Sequence, residues 1–312
     1  ATRAIQPLMR RCIDEHDPLI AAAGAQGLIK ADGWIELYRD ETAFAAAKAD
    51  AANLGPYGLA FDILDRGQLH EREPGLSHNA IGAIHWLDPK TVSNPGALVR
   101  AYTRLFVQRG GQFIHGNARS LRQVADTWQV ASQRGPISAD EVVICLGPQA
   151  SEVLEPLGYR IPLENKRGYH LHYQARPGTP LKHSVCDVEA GFVLAPMDQG
   201  IRLTTGVEFA ASSDPANEIQ LQRCEAVARS LFPLGQRIDR QPWLGRRPCL
   251  PDMRPVIGPG SRHKGLWFNF GHAHHGLTLG PVTARLLAEL MTGETPFTDP
   301  APYSAERFPR GR

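Results

Sequence analysis

The stretch EVVICLG, Glu141 to Gly147, constrains the fold more than any other part of the chain. It is a short apolar run with β-branched residues, it ends in glycine, and a helix-like stretch, ASEVLEPLG, follows at once. A strand buried on both faces of a parallel sheet enters its helix in this way. In an open sheet of that kind, ligands gather beyond the carboxyl ends of the strands. Further along, RGYHLHY, GFVLAPM and IRLTTGVEF read as three strands separated by turn residues, and so as an antiparallel block. Trp267 to Gly293 then places an aromatic strand-like run before an amphipathic helix, with Leu279, Val282, Leu286 and Leu290 on one face. Parallel-type α/β pieces therefore flank an antiparallel block, and the chain reads as two interleaved domains.

The remaining elements follow from spacing. The chain opens on helix-like positions, Ile5, Leu8, Met9, Cys12 and Ile13. Gly33 to Tyr38 reads as a strand, ETAFAAAKADAANLG as a helix ending at Gly55, and AIGAIHWL as a second strand. NPGALVRAYTRLFVQRGGQF predicts a helix with Leu98, Tyr102, Leu105 and Phe106 on one face, closed by Gly110 and Gly111 and followed by a strand over Gln112 to His115. EIQLQRCEAVARSLFP is a further helix. In the last helix Pro281 is expected within the first turn, where backbone N–H groups have no intrahelical acceptor.

At 312 residues, 42% hydrophobic and 21% charged, the composition is that of a folded chain long enough for two domains. The net charge of +2 and the lack of a dense basic run argue against nucleic acid as a partner. No apolar stretch reaches the roughly 18 residues of a membrane span, and the expectation is a cytoplasmic protein, at most peripheral to the inner face of the membrane. The five cysteines form no C-x-x-C pair and read as buried reduced thiols.

Two constellations carry chemistry. His272, His274 and His275 lie between Gly271 and Gly276, just before the last helix. A metal site, a structural loop and a ligand-facing wall all remain open to them; the nearest downstream acid, Glu289, lies three turns into the helix, which weakens the first. The free N–H groups near Gly276 to Thr278 suit an electron-rich or anionic group. The second constellation is WLGRRPCLPDMRPVIG. Pro248 biases Arg247 toward extended backbone, and a guanidinium held there offers a planar fork for a carboxylate. Arg246 and Arg254 are expected to make exposed pairs.

These motifs resemble a known family. GRRPCLPDMRPVIG, followed by LWFNFGHAHHGLTLGPVTARLLAELMTGETP, is similar to the carboxyl-terminal signature of the FAD-dependent D-amino-acid dehydrogenase and glycine oxidase family. GWIELY, REPGL, NPGALVRAY, RGGQF, EVVICLGPQA, PLENKRGYHLHY and IRLTTGVEF fall in that family's order. The family's G-x-G-x-x-G turn is not among these residues. GPGSRHKG is the near-match, with His263 in its last glycine slot and no helix after it.

The resemblance implies an α+β flavoprotein of the D-amino-acid oxidase type, with a mixed-sheet substrate domain over 1–93 and 159–244 and parts of an FAD domain over 94–158 and 245–312. It implies oxidation of a D-amino acid or cyclic secondary amino acid to its imine by hydride transfer to flavin N5, with electrons passed to a quinone or another carrier. Oxygen as acceptor and a flavin-free subunit are the alternatives. Residue by residue, Arg247 matches the arginine that pairs with the substrate carboxylate, in a G-x-R-P step opened by Gly245. Gly271, His272, His275, Gly276, Leu277 and Thr278 match the segment around the isoalloxazine ring. Ala118, Cys145, Leu146 and Gly147 match cofactor-side positions. Phe192 and His274 occupy substrate-side slots held by a tyrosine and an arginine in the glycine oxidase branch. No metal is implied, and a second chain is the expected source of the missing dinucleotide-binding segment, on the order of 100 residues for one mononucleotide half.

Overall fold

The computed structural model describes residues 2–308 except Gly55, Pro56 and Ser212. An eight-stranded mixed sheet runs, in spatial order, Trp243–Cys249, Glu164–Tyr173, Gly200–Phe209, Phe192–Met197, Ser184–Asp187, Trp34–Tyr38, Gly82–Trp86 and Phe61–Asp65. All neighbours are antiparallel except Ser184–Asp187 against Trp34–Tyr38. One face is apolar: Tyr169, Leu171, Tyr173, Phe192, Leu194, Ile201 and Leu203 pack with Leu221, Ala228 and Leu231 of the helix Ile219–Leu231. Alternation sends the intervening side chains, among them His170, His172, Arg202 and Thr204, to the other face.

A second body is built on the three-stranded sheet Val256–Pro259, Leu266–Phe270 and Val142–Ile144, whose last two strands are parallel. The carboxyl ends of that parallel pair lead into Cys145–Gly147 and into Gly271–His275, so the two segments lie at one edge of the sheet. GPGSRHKG joins two antiparallel strands as a hairpin, which the dinucleotide turn cannot be. A meander of Gly116–Val124, Thr127–Ser132 and Gly135–Ala139 completes this part.

Several expectations are corrected. Gln112–His115 is irregular and the strand begins at Gly116. On the helix Pro95–Gln108 the buried face is Leu98 and Ala101, while Phe106 is 55% exposed. Its ring lies against Gly111, where a Cβ would strike it. The helix after Tyr38 spans Glu41–Asn53; its expected stop at Gly55 lies outside the described residues. The opening helix Thr2–Ala22 packs Leu8 and Cys12 against Leu279, Val282 and Leu286 of the final helix Gly276–Thr292. It sits with the second body, whereas a division at residue 93 assigned it to the first. Cys145 is exposed and Cys186 half-buried, so three of the five thiols are buried. Among the described residues no helix is long and apolar enough to cross a membrane.

Candidate active site

The loop before the final helix is shaped by two left-handed residues. Gly271 has φ 82, and a Cβ there would come within 2.6 Å of Leu250 Cδ1. Ala273 has φ 51, a conformation that costs a side-chain-bearing residue about 1–2 kcal/mol. Its N–H donates to the Pro248 carbonyl at 2.9 Å, tying the loop to the strand that carries Arg247. His272 donates from Nε2 to Thr283 Oγ1 at 3.1 Å, because that hydroxyl already gives its own proton to the Leu279 carbonyl at 2.9 Å.

Pro281 stands in the second turn of this helix, not the first, so the Leu277 carbonyl loses its usual helical donor. His16 replaces it, donating from Nε2 to Leu277 O at 2.9 Å while its Nδ1 accepts from Tyr102 at 2.8 Å. The Leu277 side chain packs with Ile20, Leu98 and Ala101, so this residue can offer the loop side its backbone only. A Cβ added at Gly276 would meet no atom within 4 Å.

Beside the loop, a cavity of about 170 Å³ is lined by Gly168, His170, Thr204, Trp243, Gly245, Arg247 and His274, among others. Arg247 extends from the strand Trp243–Cys249, and its guanidinium lies where a Cβ on Gly168 would be. It donates to the Gly206 carbonyl at 2.8 Å and more weakly to the Arg167 carbonyl at 3.5 Å. Among the described residues no carboxylate pairs with it. Burial pulls its pKa below the ordinary arginine value, yet a guanidinium stays charged. Cross-strand register aligns Val193, Thr204, His170 and Trp243 in one row, and the His170 ring stacks on Trp243 at 4.8 Å.

The imidazoles here are neutral at pH 7. Burial pushes His272 down to about 4. Burial, followed by the influence of His274, does the same to His275. His274 is lowered by burial and then by Arg247 and Lys166. His170 falls to about 4 through burial and then Arg202 and His172. The described residues contain no group of three or more His, Cys, Asp or Glu placed to hold a metal ion.

The candidate residues divide accordingly. Gly245, Arg247 and His274 meet at the cavity, with Gly271–Thr278 adjoining. Gly147, at φ 53, would bring a Cβ to 4.0 Å from Pro248 Cγ, so the Cys145–Gly147 turn reaches the same strand. Ala118 and Leu146 pack against the core of the second body. Phe192 is corrected: it is 2% exposed in the core of the eight-stranded sheet, on the face opposite the cavity row. Its neighbour Val193 holds the cavity-face position. Arg254 is corrected too, since it pairs with Asp252 at 2.8 Å, where Arg307 also binds at 2.8 Å, and both partners are 24% exposed. Sequence reasoning missed Gly168, His170, Thr204 and Trp243. Alternation within RGYHLHY carried the signal for the first two.

Comparison with known proteins agrees with this geometry. Residues 1–290 match the sequence profile of the DAO family, FAD dependent oxidoreductase. The chain belongs to that family and is an FAD-dependent oxidoreductase. It is 26% identical to a D-amino-acid oxidase of Bradyrhizobium diazoefficiens over 98% of this chain and 73% of the relative. It is 29% identical to a D-amino acid dehydrogenase of Chromohalobacter salexigens, covering 96% of this chain and 72% of the relative. In fold it resembles the crystal structure of glycine oxidase from Geobacillus kaustophilus, with a TM-score of 0.83 at 21% identity, over 97% of this chain and 82% of that one. The residues present fit a flavin at the edge described: two segments enter from parallel strand ends, Gly147 and Gly271 have positive φ, and the space before Gly276 is open.

Proposed function

We propose that this chain oxidises a D-amino acid or a cyclic secondary amino acid to its imine, with Arg247 as the anchor for the substrate carboxylate. The observation that carries this reading is a half-buried guanidinium, lining a cavity, whose acceptors among the described residues are two backbone carbonyls and no carboxylate. A desolvated cation of this kind is costly unless an anion meets it. The bidentate fork then fixes the α-carbon as well as binding it, because two parallel N–H···O bonds leave the carboxylate little freedom to rotate.

FAD, when bound, supplies the acceptor for the hydride that leaves the α-carbon. Gly271–Thr278 and Cys145–Gly147 would hold it, with the backbone N–H groups of Gly276, Leu277 and Thr278 and the positive end of the final helix favouring negative charge there. A polypeptide segment beyond these residues, from a second chain or a longer one, would carry the glycine-rich pyrophosphate turn. His272 and His275, pushed to about 4 by burial, rest neutral at neutral pH, which suits the oxidation of a neutral amine. Under the same proposal the eight-stranded sheet is the substrate domain. The three-stranded sheet, with the first and last helices, belongs to the cofactor domain. Electrons pass onward to a quinone or another carrier.

The test is a titration of the flavin-loaded protein with benzoate, followed in the flavin spectrum. Wild type is expected to bind and shift the spectrum, Arg247→Ala to lose the shift while retaining flavin, and Arg247→Lys to recover part of it, since an ammonium lacks the fork. Benzoate binding that survives Arg247→Ala overturns the assignment. Oxygen uptake compared with dye reduction on the same preparation decides the acceptor.

A further inference from the structure

A second guanidinium occupies the cavity side of the eight-stranded sheet. Arg202 lies two residues from Thr204 on the strand Gly200–Phe209, opposite His172 on one neighbouring strand and Ala195 on the other. Alternation sends Ile201 and Leu203 into the core and leaves Arg202 on the face of Thr204 and His170, both of which line the cavity. Its Nε is buried and has no hydrogen-bond partner. Among the described residues no carboxylate pairs with it. Asp239, the acid beside these histidines, is already taken by the His172 N–H at 2.7 Å and by His172 Nδ1 at 2.8 Å. No described residue therefore balances Arg202, although burial weakens its charged form.

Arg202 and Arg247 mark two ends of one face. Four residue steps of strand lead from Arg202 to Gly206, whose carbonyl holds Arg247, or about 13 Å of backbone. An arginine side chain reaching from Arg202 along this face, past Thr204 and His170, would shorten that span to the length of a short diacid. We propose that Arg202 binds a second, distal carboxylate, so that the substrate class is an amino acid whose side chain or N-substituent ends in a carboxylate. Arg202 is then a specificity-determining residue: an unpaired guanidinium accepts an anion and rejects an apolar terminus, which would leave the charge buried and unmatched. This inference rests on the reading of Arg247 as the α-carboxylate anchor.

Calorimetric titration of the flavin-loaded protein with glutarate and with butyrate separates the two ideas. Wild type is expected to bind glutarate at least about tenfold tighter than butyrate, a gap carried by the second ion pair. Arg202→Met should erase the gap and leave butyrate affinity within about twofold of wild type, and Arg202→Lys should restore part of it. Arg247→Met should weaken both ligands. In turnover, Arg202→Met should lower kcat/KM for D-glutamate relative to D-alanine. Equal affinity for the two acids in wild type, or a gap that survives Arg202→Met, overturns the assignment of Arg202 while leaving Arg247 in place. Unchanged binding of both acids to Arg247→Met means that the anchor itself was misassigned, and the two-point reading falls with it. Thermal midpoints of each variant identify a loss caused by unfolding, in which case Arg202→Lys alone decides through its reduced gap.

Discussion

Arg167 and Arg247 stand on adjacent strands of one sheet and carry the same planar fork, yet their surroundings differ in kind. Arg167 is fully buried, and every N–H it has is used. Nε meets Glu208 at 2.8 Å, Nη1 donates to the carbonyls of Ala211 and Asp214, and Nη2 donates to Tyr169 Oη and the Pro215 carbonyl. Tyr169 in turn donates to Glu208 at 2.7 Å. This network fastens the segment after the strand Gly200–Phe209 and leaves no donor for a ligand. Arg247 has two backbone acceptors, no carboxylate partner among the described residues, and a cavity in front of it. Arginine count therefore says little about function. The balance of donors against acceptors around each guanidinium separates the structural one from the binding one.

Removing the counter-ion is the harshest way to break that contrast. Glu208→Ala leaves a buried guanidinium unpaired and is expected to cost about 3–5 kcal/mol of folding stability in urea denaturation. A loss below about 1 kcal/mol would mean that backbone carbonyls alone sustain the network. At the other pole, Arg247→Ala should weaken benzoate binding by roughly 2–5 kcal/mol. Its own folding stability should change by less than about 1 kcal/mol, since no ion pair is broken. An equal stability loss in the two variants would erase the distinction.

A smaller effect is expected at Asp252. Burial pushes its carboxyl upward, but the hydrogen bonds from Arg307 and Arg254 outweigh this and hold it at about 2, below the ordinary 3.8. The depressed value contributes stability at neutral pH, on the order of 2 kcal/mol, that is lost as pH falls from about 4 to about 2. Asp252→Asn should flatten this part of the acid limb in pH-dependent melting; an unchanged limb would show that the network carries no linkage. The smallest change is Ala273→Gly. Relief of the left-handed alanine, offset by glycine's greater chain entropy, should stabilise the fold by less than about 1 kcal/mol. A flavin spectrum altered by that substitution would show that the loop's strain also shapes the cofactor wall.

Local pattern made much of this legible. The antiparallel block, the parallel strand over Val142–Ile144, the helix Ile219–Leu231 and the terminal strand, loop and helix were readable because each has its own apolar period and its own glycine or proline boundary, although Val142–Ile144 stands at its sheet's edge with only Ile144 buried. The extended backbone of Arg247 followed from Pro248. Phe192 was not legible: GFVLAPM is apolar at both parities, so a period of two says nothing about which face meets the core. Phe106 failed for a related reason, because a helical stripe records which residues can be buried but not which ones a neighbour covers.

The sequence by itself determined the kinds of element, their order, and the positions where backbone must turn, since these depend on residues within a few places of one another. Only the tertiary structure decided that His16, 261 positions away, supplies the donor Pro281 withholds from Leu277. It likewise decided that Glu208 neutralises Arg167, while Arg247 and Arg202 have no carboxylate partner among the described residues. Charge balance inside a protein depends on which distant acceptors the fold brings within about 3 Å, and no local pattern encodes that.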